Sequence, residues 1–179
     1  MHSALLGATG GLLFDLIVLD TFALISAGNW TKRNLHPWLD ISTDPILVVR
    51  YPANSNTPEA AAQVKEFYDL FCAWVDRTRD PYTVIADTTA IEALPSARVR
   101  AAIAEGEART AAFKGNRNKG TAVIVANRVT RGLVTAVYWL SPPTYPVQLF
   151  ATFDEGLAWV LTRLDSEGVQ RPHQLPRAF

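Results

Sequence analysis

From Trp38 the chain alternates between short, continuous apolar runs and longer stretches whose apolar residues recur every three or four positions. The first kind predicts buried strands and the second predicts helices with one apolar face. Trp38–Ile41 and Ile46–Tyr51 are strand-like, and Ser42-Thr43-Asp44-Pro45 between them is a turn signal, so the domain opens with a hairpin. A loop over Pro52–Asn56 leads to Thr57-Pro58-Glu59, which reads as a hydroxyl cap, a proline at the first helical position and an acid near the positive end of the helix dipole. Val64, Phe67, Tyr68, Phe71, Trp74 and Val75 are the apolar stripe of that helix, with Cys72 beside it as a small buried or half-buried side chain. Tyr82–Ala86 predicts a buried strand ending in the polar mouth Asp87-Thr88-Thr89.

Pro95-Ser96 opens a second helix whose inner face carries Val99, Ile103, Gly106, Thr110 and Phe113. A mid-helix glycine costs about 1 kcal/mol of propensity, so Gly106 is expected to mark close approach of the helix to the sheet. Gly115–Gly120 is a polar breaker and Thr121–Ala126 the next strand. Asn127 can cap a third helix with Leu133, Val134, Val137 and Leu140 turned inward, stopped by Ser141-Pro142-Pro143. Val147–Ala151 is the last strand. Thr152-Phe153-Asp154-Glu155 is a capping box before a helix with Leu157, Val160, Leu161 and Leu164 inside. The order predicts an α/β domain over residues 35–165: a single mixed, mostly parallel sheet with an N-terminal hairpin and four helices.

The flanks differ in composition. Residues 1–34 form an apolar N-terminal extension whose stretch Ser3–Gly28 is long enough to span a bilayer. Asp15 and Asp20 near its middle oppose insertion by about 2.5–3.5 kcal/mol each. Three readings stand for it: an element packed on the domain or a mobile extension, sequence upstream of the true start, or a membrane anchor. If it did insert, Lys32 and Arg33 would favour a cytoplasmic domain. A cytoplasmic location is expected, with membrane tethering through residues 3–28 as the alternative. Residues 166–179 are read as a flexible C-terminal tail.

Composition removes several chemistries. The 179 residues include one cysteine and three scattered histidines, His2, His36 and His173, which argues against a zinc site and leaves no internal disulfide. Gly7-Ala8-Thr9-Gly10-Gly11 follows no strand and leads to no Gly-Lys-Ser/Thr, so it is not a phosphate loop. No Gly-x-Ser-x-Gly elbow is present. Asp69 and Asp76 fall on a solvated helix flank, and Asp154-Glu155 are explained by capping. No catalytic residue, metal or cofactor is assigned.

Lys and Arg number 17, as do Asp and Glu, but they are segregated. Residues 96–131 hold 8 basic side chains and 2 acidic ones, so a basic segment faces an acidic remainder. This is either a solvated face or an anionic contact, to an acidic protein, a lipid head group or a phosphate. Arg128 and Arg131 lie just past a strand end, where α/β sheets bind ligands. Nucleic acid is disfavoured because no aromatic ladder interleaves the basic residues. Tyr138, Trp139 and Tyr145, with Pro142, Pro143 and Pro146, form an aromatic–proline corner that either packs on the core or serves as a protein-contact patch.

The hairpin and repeats, carried by Ile46–Pro52, Thr83–Ser96, Gly120–Leu133 and Val147–Leu164, resemble the STAS domains of bacterial anti-sigma-factor antagonists and STAS-like proteins. In those antagonists a strand ends in Asp, and a phosphorylatable serine preceded by Asp follows about nine residues later at a helix start. Asp87 and Ser96 have that spacing here, with Pro95 and Ala97-Arg98 as departures. A phosphate on Ser96 would be stabilised by the helix start and by Arg98 or Arg100, and the plain reading of Ser96 is an N-cap. The resemblance implies a non-catalytic regulatory or protein-interaction domain, possible as a homodimer, with Asp87, Ser96, Arg98, Arg128 and Arg131 as candidate binding residues. The alternative is a small-molecule or lipid carrier with a pocket between helices and sheet.

Overall fold

The structure is a computed structural model that describes residues 35–54, 56–114, 117–140 and 142–178. The apolar segment 1–34 lies outside the described residues, as do the side chains of Phe113, Leu133 and Leu140. The elements are β1 (Leu39–Asp40), β2 (Ile46–Arg50), α1 (Ala60–Thr78), β3 (Tyr82–Asp87), α2 (Ala97–Lys114), β4 (Asn118–Ile124), α3 (Arg128–Leu140), β5 (Val147–Phe150) and α4 (Phe153–Ser166). No helix among the described residues is long and apolar enough to cross a membrane.

The five strands form one sheet in sequential order, β1-β2-β3-β4-β5. β1 pairs antiparallel with β2, closing the expected hairpin, and the other three pairings are parallel. Because strand order never reverses from β2 to β5, crossovers of one hand place α1, α2 and α3 on the same face. Val49, Val84, Ala86, Thr121 and Val123 look toward those helices. Ile46, Val48, Ile85, Ala122 and Ile124 look the other way and pack under α4 through Phe153, Val160 and Leu164. Between β2 and β5 the strand order has no reversal, so the sheet has no switch-point crevice.

Local signals set most boundaries. Thr152 and Glu155 make the full capping box of α4. Asn127 Oδ1 accepts from the Thr130 amide at 2.8 Å, and Ser96 Oγ accepts from the Val99 amide at 3.3 Å, so both act as N-caps. Thr57 does not. Its carbonyl accepts from the Ala60 amide in a separate turn, and α1 begins after Glu59 with no side-chain cap. β4 starts three residues before the expected point, inside the polar breaker. Asn118 is buried there because its Oδ1 accepts from the Gly120 amide and its Nδ2 donates to Thr121 Oγ1.

Two glycines set packing distances. A Cβ on Gly156 would sit 2.5 Å from Ile124 Cδ1, so its absence brings α4 down onto β4. Gly106 does not approach the sheet as expected. A Cβ there would sit 2.1 Å from Cδ2 of Tyr68, and the close approach is between α2 and α1. Beyond α4 no further helix or strand is present among the described residues. Val169 packs against the core under that helix, and the Arg177 carbonyl accepts from Arg50 Nη2 at 2.9 Å.

Candidate functional site

The helices on the crowded face do not fill the space above the sheet. A cavity of about 90 Å³ lies between them, floored by the small strand residues Val84, Ala86, Thr121 and Val123. Its roof is aromatic: Phe67, Tyr68 and Phe71 from α1, Trp38 and Tyr51 from the edge, and Tyr138 from α3. Phe67 holds this roof together, stacking on Phe71 at 5.8 Å and meeting Tyr68 at 4.9 Å and Trp38 at 6.0 Å. One buried water needs about 10–15 Å³, so the space accommodates a small organic group. Small side chains below and large rings above leave this void because the rings hold the helices away from the sheet.

A charged group enters the cavity lining from α2. Glu107 follows Gly106, and its carboxylate accepts two phenolic hydrogen bonds, from Tyr68 to Oε1 and from Tyr145 to Oε2, both at 2.8 Å. Gly106 and Glu107 work together here: the missing Cβ admits the Tyr68 ring, and the next residue receives its hydroxyl. Tyr51 and Tyr138 complete the group, so four of the chain's five tyrosines line the cavity beside one carboxylate. Burial pushes the phenols of Tyr51, Tyr68, Tyr138 and Tyr145 up, and the negative charge of Glu107 pushes them further. Tyr138 lines the cavity from α3.

The residues singled out from sequence divide between this cavity and the surface. Of the aromatic–proline corner, read as either core packing or a contact patch, Tyr138 and Tyr145 line the cavity and Trp139 faces solvent at 83% exposure. Asp87 ends β3 and accepts from the amide and hydroxyl of Thr89, a local turn contact. Ser96 caps α2. Arg98 borders a shallow groove between α1 and α2, and Arg128 and Arg131 are exposed on the first turns of α3. The basic segment is also partly occupied. Arg109 pairs with Asp69 at 2.6 Å and Lys119 with Glu167 at 3.0 Å. Arg100 Nη1 donates to the Pro95 carbonyl and Arg117 Nη1 to the Val75 carbonyl. Among the described residues, no group of three or more His, Cys, Asp or Glu could hold a metal ion.

Glu107 was missed in the sequence. Its signal was an acid on the inner stripe of α2, four residues after Ile103 and three before Thr110, next to a glycine. No family model, no curated protein and no solved structure matches the chain.

Proposed function

We propose that this domain binds a small, largely apolar molecule in the cavity between its sheet and helices α1, α2 and α3. One observation carries the reading: a mostly apolar cavity of about 90 Å³ lined in part by a cluster of polar groups, Glu107 and its tyrosines. Binding sites for small molecules have this composition, mostly apolar with a few placed polar groups. The domain then acts as a carrier or as a ligand-responsive regulatory module, with binding rather than bond-making as its activity. Native mass spectrometry of gently purified protein tests this. The expected result is a bound small molecule that is lost in a variant with the cavity filled, Ala86→Phe. Identical masses for both proteins beyond the substitution, together with no uptake of added apolar probes, would overturn it.

A second reading is a STAS-like regulatory domain that docks a partner protein, itself or another. The specific observation in its favour is Trp139, a large aromatic 83% exposed on α3. Aromatic side chains of this kind anchor protein interfaces. Sedimentation of the protein and of Trp139→Gln would test it as a homodimer. Association that Trp139→Gln abolishes supports this reading, and a monomer at all concentrations counts against self-association.

A further inference from the structure

The sheet ends in two edges that are finished differently. β1 is only Leu39 and Asp40, and the Asp40 carboxylate pairs with Arg50 at 3.6 Å. Shortness and a charge are common protections of an edge strand. β5, Val147-Gln148-Leu149-Phe150, is longer and uncharged, and it pairs in unbroken register with β4 on one side only. We infer that the free edge of β5 is the contact between two copies of this chain, related by a two-fold axis beside Gln148. The inference rests on neither the cavity nor Trp139.

The hydrogen bonds to β4 fix which backbone groups face outward. The Pro146 carbonyl accepts from the Thr121 amide, and the Phe150 carbonyl from the Val125 amide, both at 2.9 Å. Backbone groups alternate in direction along a strand, so Pro146, Gln148 and Phe150 turn theirs toward β4. Val147 and Leu149 therefore turn their amides and carbonyls outward, where no described residue bonds them. The next outward amide, Ala151, already donates to Glu155 Oε2 at 3.2 Å, so the open stretch is centred on Gln148. This set of donors and acceptors is complementary to itself. In an antiparallel pair, Val147 of one copy exchanges both backbone bonds with Leu149 of the other, and the reverse. The side chains agree. Val147 and Leu149 are half-buried beside Val123, and pairing sets each against the other's apolar side chain. Gln148 is exposed, in register with Ala122 under α4, and meets its own copy across the axis. An amide side chain both donates and accepts, so glutamine pairs with glutamine. A second copy satisfies every one of these groups, as an isologous contact requires.

The experiment is sedimentation equilibrium of the full chain, with amide hydrogen exchange followed over the same concentrations. A dimer is expected. On dilution the Val147 and Leu149 amides should lose protection, while those of Gln148 and Phe150, turned to β4, keep it. Val147→Pro puts proline at the first residue of an edge strand with its nitrogen facing outward, a position where proline is tolerated. It is expected to raise the dimer Kd about ten-fold or more, since each copy loses a hydrogen bond. Gln148→Lys and Gln148→Glu change an exposed side chain, so both fold. Each is expected to weaken the dimer about three- to five-fold by setting like charges opposite one another, and an equimolar mixture of the two should restore it. That rescue needs the axis at Gln148. A chain that is monomeric at every concentration would overturn the inference. So would a dimer that all three variants leave unchanged, or one whose Val147 and Leu149 amides exchange freely. A dimer lost in Trp139→Gln but kept in the Gln148 variants would overturn it by assigning the contact to α3.

Discussion

The ring of Tyr68 occupies the space where a side chain at position 106 would begin. An added Cβ there would lie 2.1 to 2.5 Å from three of its ring carbons. Gly106→Ala would gain about 1 kcal/mol of helix propensity, but overpacking a full interior costs about 1–3 kcal/mol. Tyr68 is 1% exposed and its hydroxyl is tied to Glu107 at 2.8 Å, so moving the ring aside strains that hydrogen bond. The expected outcome is a net loss of stability of about 1–2 kcal/mol in denaturant unfolding. A Gly106→Ala protein more stable than wild type would show that α1 and α2 can separate freely.

Tyr68 and Tyr82 should respond oppositely to loss of their hydroxyls. Tyr68→Phe removes a hydrogen bond to a carboxylate and is expected to destabilise by about 1.5–3 kcal/mol. The Tyr82 hydroxyl is buried with no partner among the described residues. Removing it relieves an unmet polar group, so Tyr82→Phe is expected to be neutral or stabilising by about 1 kcal/mol. Urea midpoints for the two variants check the sign of each.

Two helical glycines make a similar pair. Gly132 on α3 has nothing within 4 Å of a built Cβ, so Gly132→Ala should stabilise by about 1 kcal/mol through propensity alone. Gly156 on α4 faces Ile124, which is fully buried, and Ala122 lies 3.3 Å from the same point. Gly156→Ala should cost about 1–3 kcal/mol as the helix is forced off β4. Thermal melts with opposite shifts are the expected result, and shifts of the same sign would contradict this packing.

All five tyrosines, Tyr51, Tyr68, Tyr82, Tyr138 and Tyr145, have phenols raised above the usual value near 10, chiefly by burial. A raised folded value stabilises the protein below the unfolded value and is lost as pH rises past it. Native protein should therefore show no tyrosinate absorbance near pH 10, and ionisation should arrive together with unfolding as a single alkaline step. A gradual titration of several phenols before loss of helical circular dichroism would contradict the buried cluster.

His36 sets an acid limb. It is 5% exposed, its Nδ1 accepts from the Trp38 amide at 3.2 Å, and burial lowers its proton affinity. A lowered folded value means that the unfolded chain binds the proton more readily, so stability falls as pH drops from about 6.5 toward the folded value. His36→Gln should flatten that part of the stability curve. Asp165 and Glu167, lowered by hydrogen bonds from Arg171 and Lys119, act only further down, in the carboxylate range.

Element order, hairpin and pairing direction were legible in the sequence because each strand is a continuous apolar run and most helices carry explicit caps. Asn127, Ser96 and the Thr152–Glu155 pair act locally, so residues a few positions apart are enough to read them. The start of β4 was not legible, since Asn118 earns its place in the strand through a side-chain fold-back rather than through apolarity. The partner of Gly106 was not legible either. A glycine announces that something comes close, but only the three-dimensional arrangement names Tyr68 rather than the sheet. The same limit hid Glu107. Its meaning depends on Tyr68, 39 positions earlier, and Tyr145, 38 later, a convergence that no local pattern encodes.

The sheet is covered unevenly: one helix seats tightly through Gly156 on one side, while three stand off over a hollow on the other. Empty space in a folded chain is volume that unfolding recovers, so hydrostatic pressure works against the hollow side first. The protein has a stiff back and a compressible front. An occupant of the hollow would harden that front and raise resistance to compression without touching any surface that a partner molecule could see.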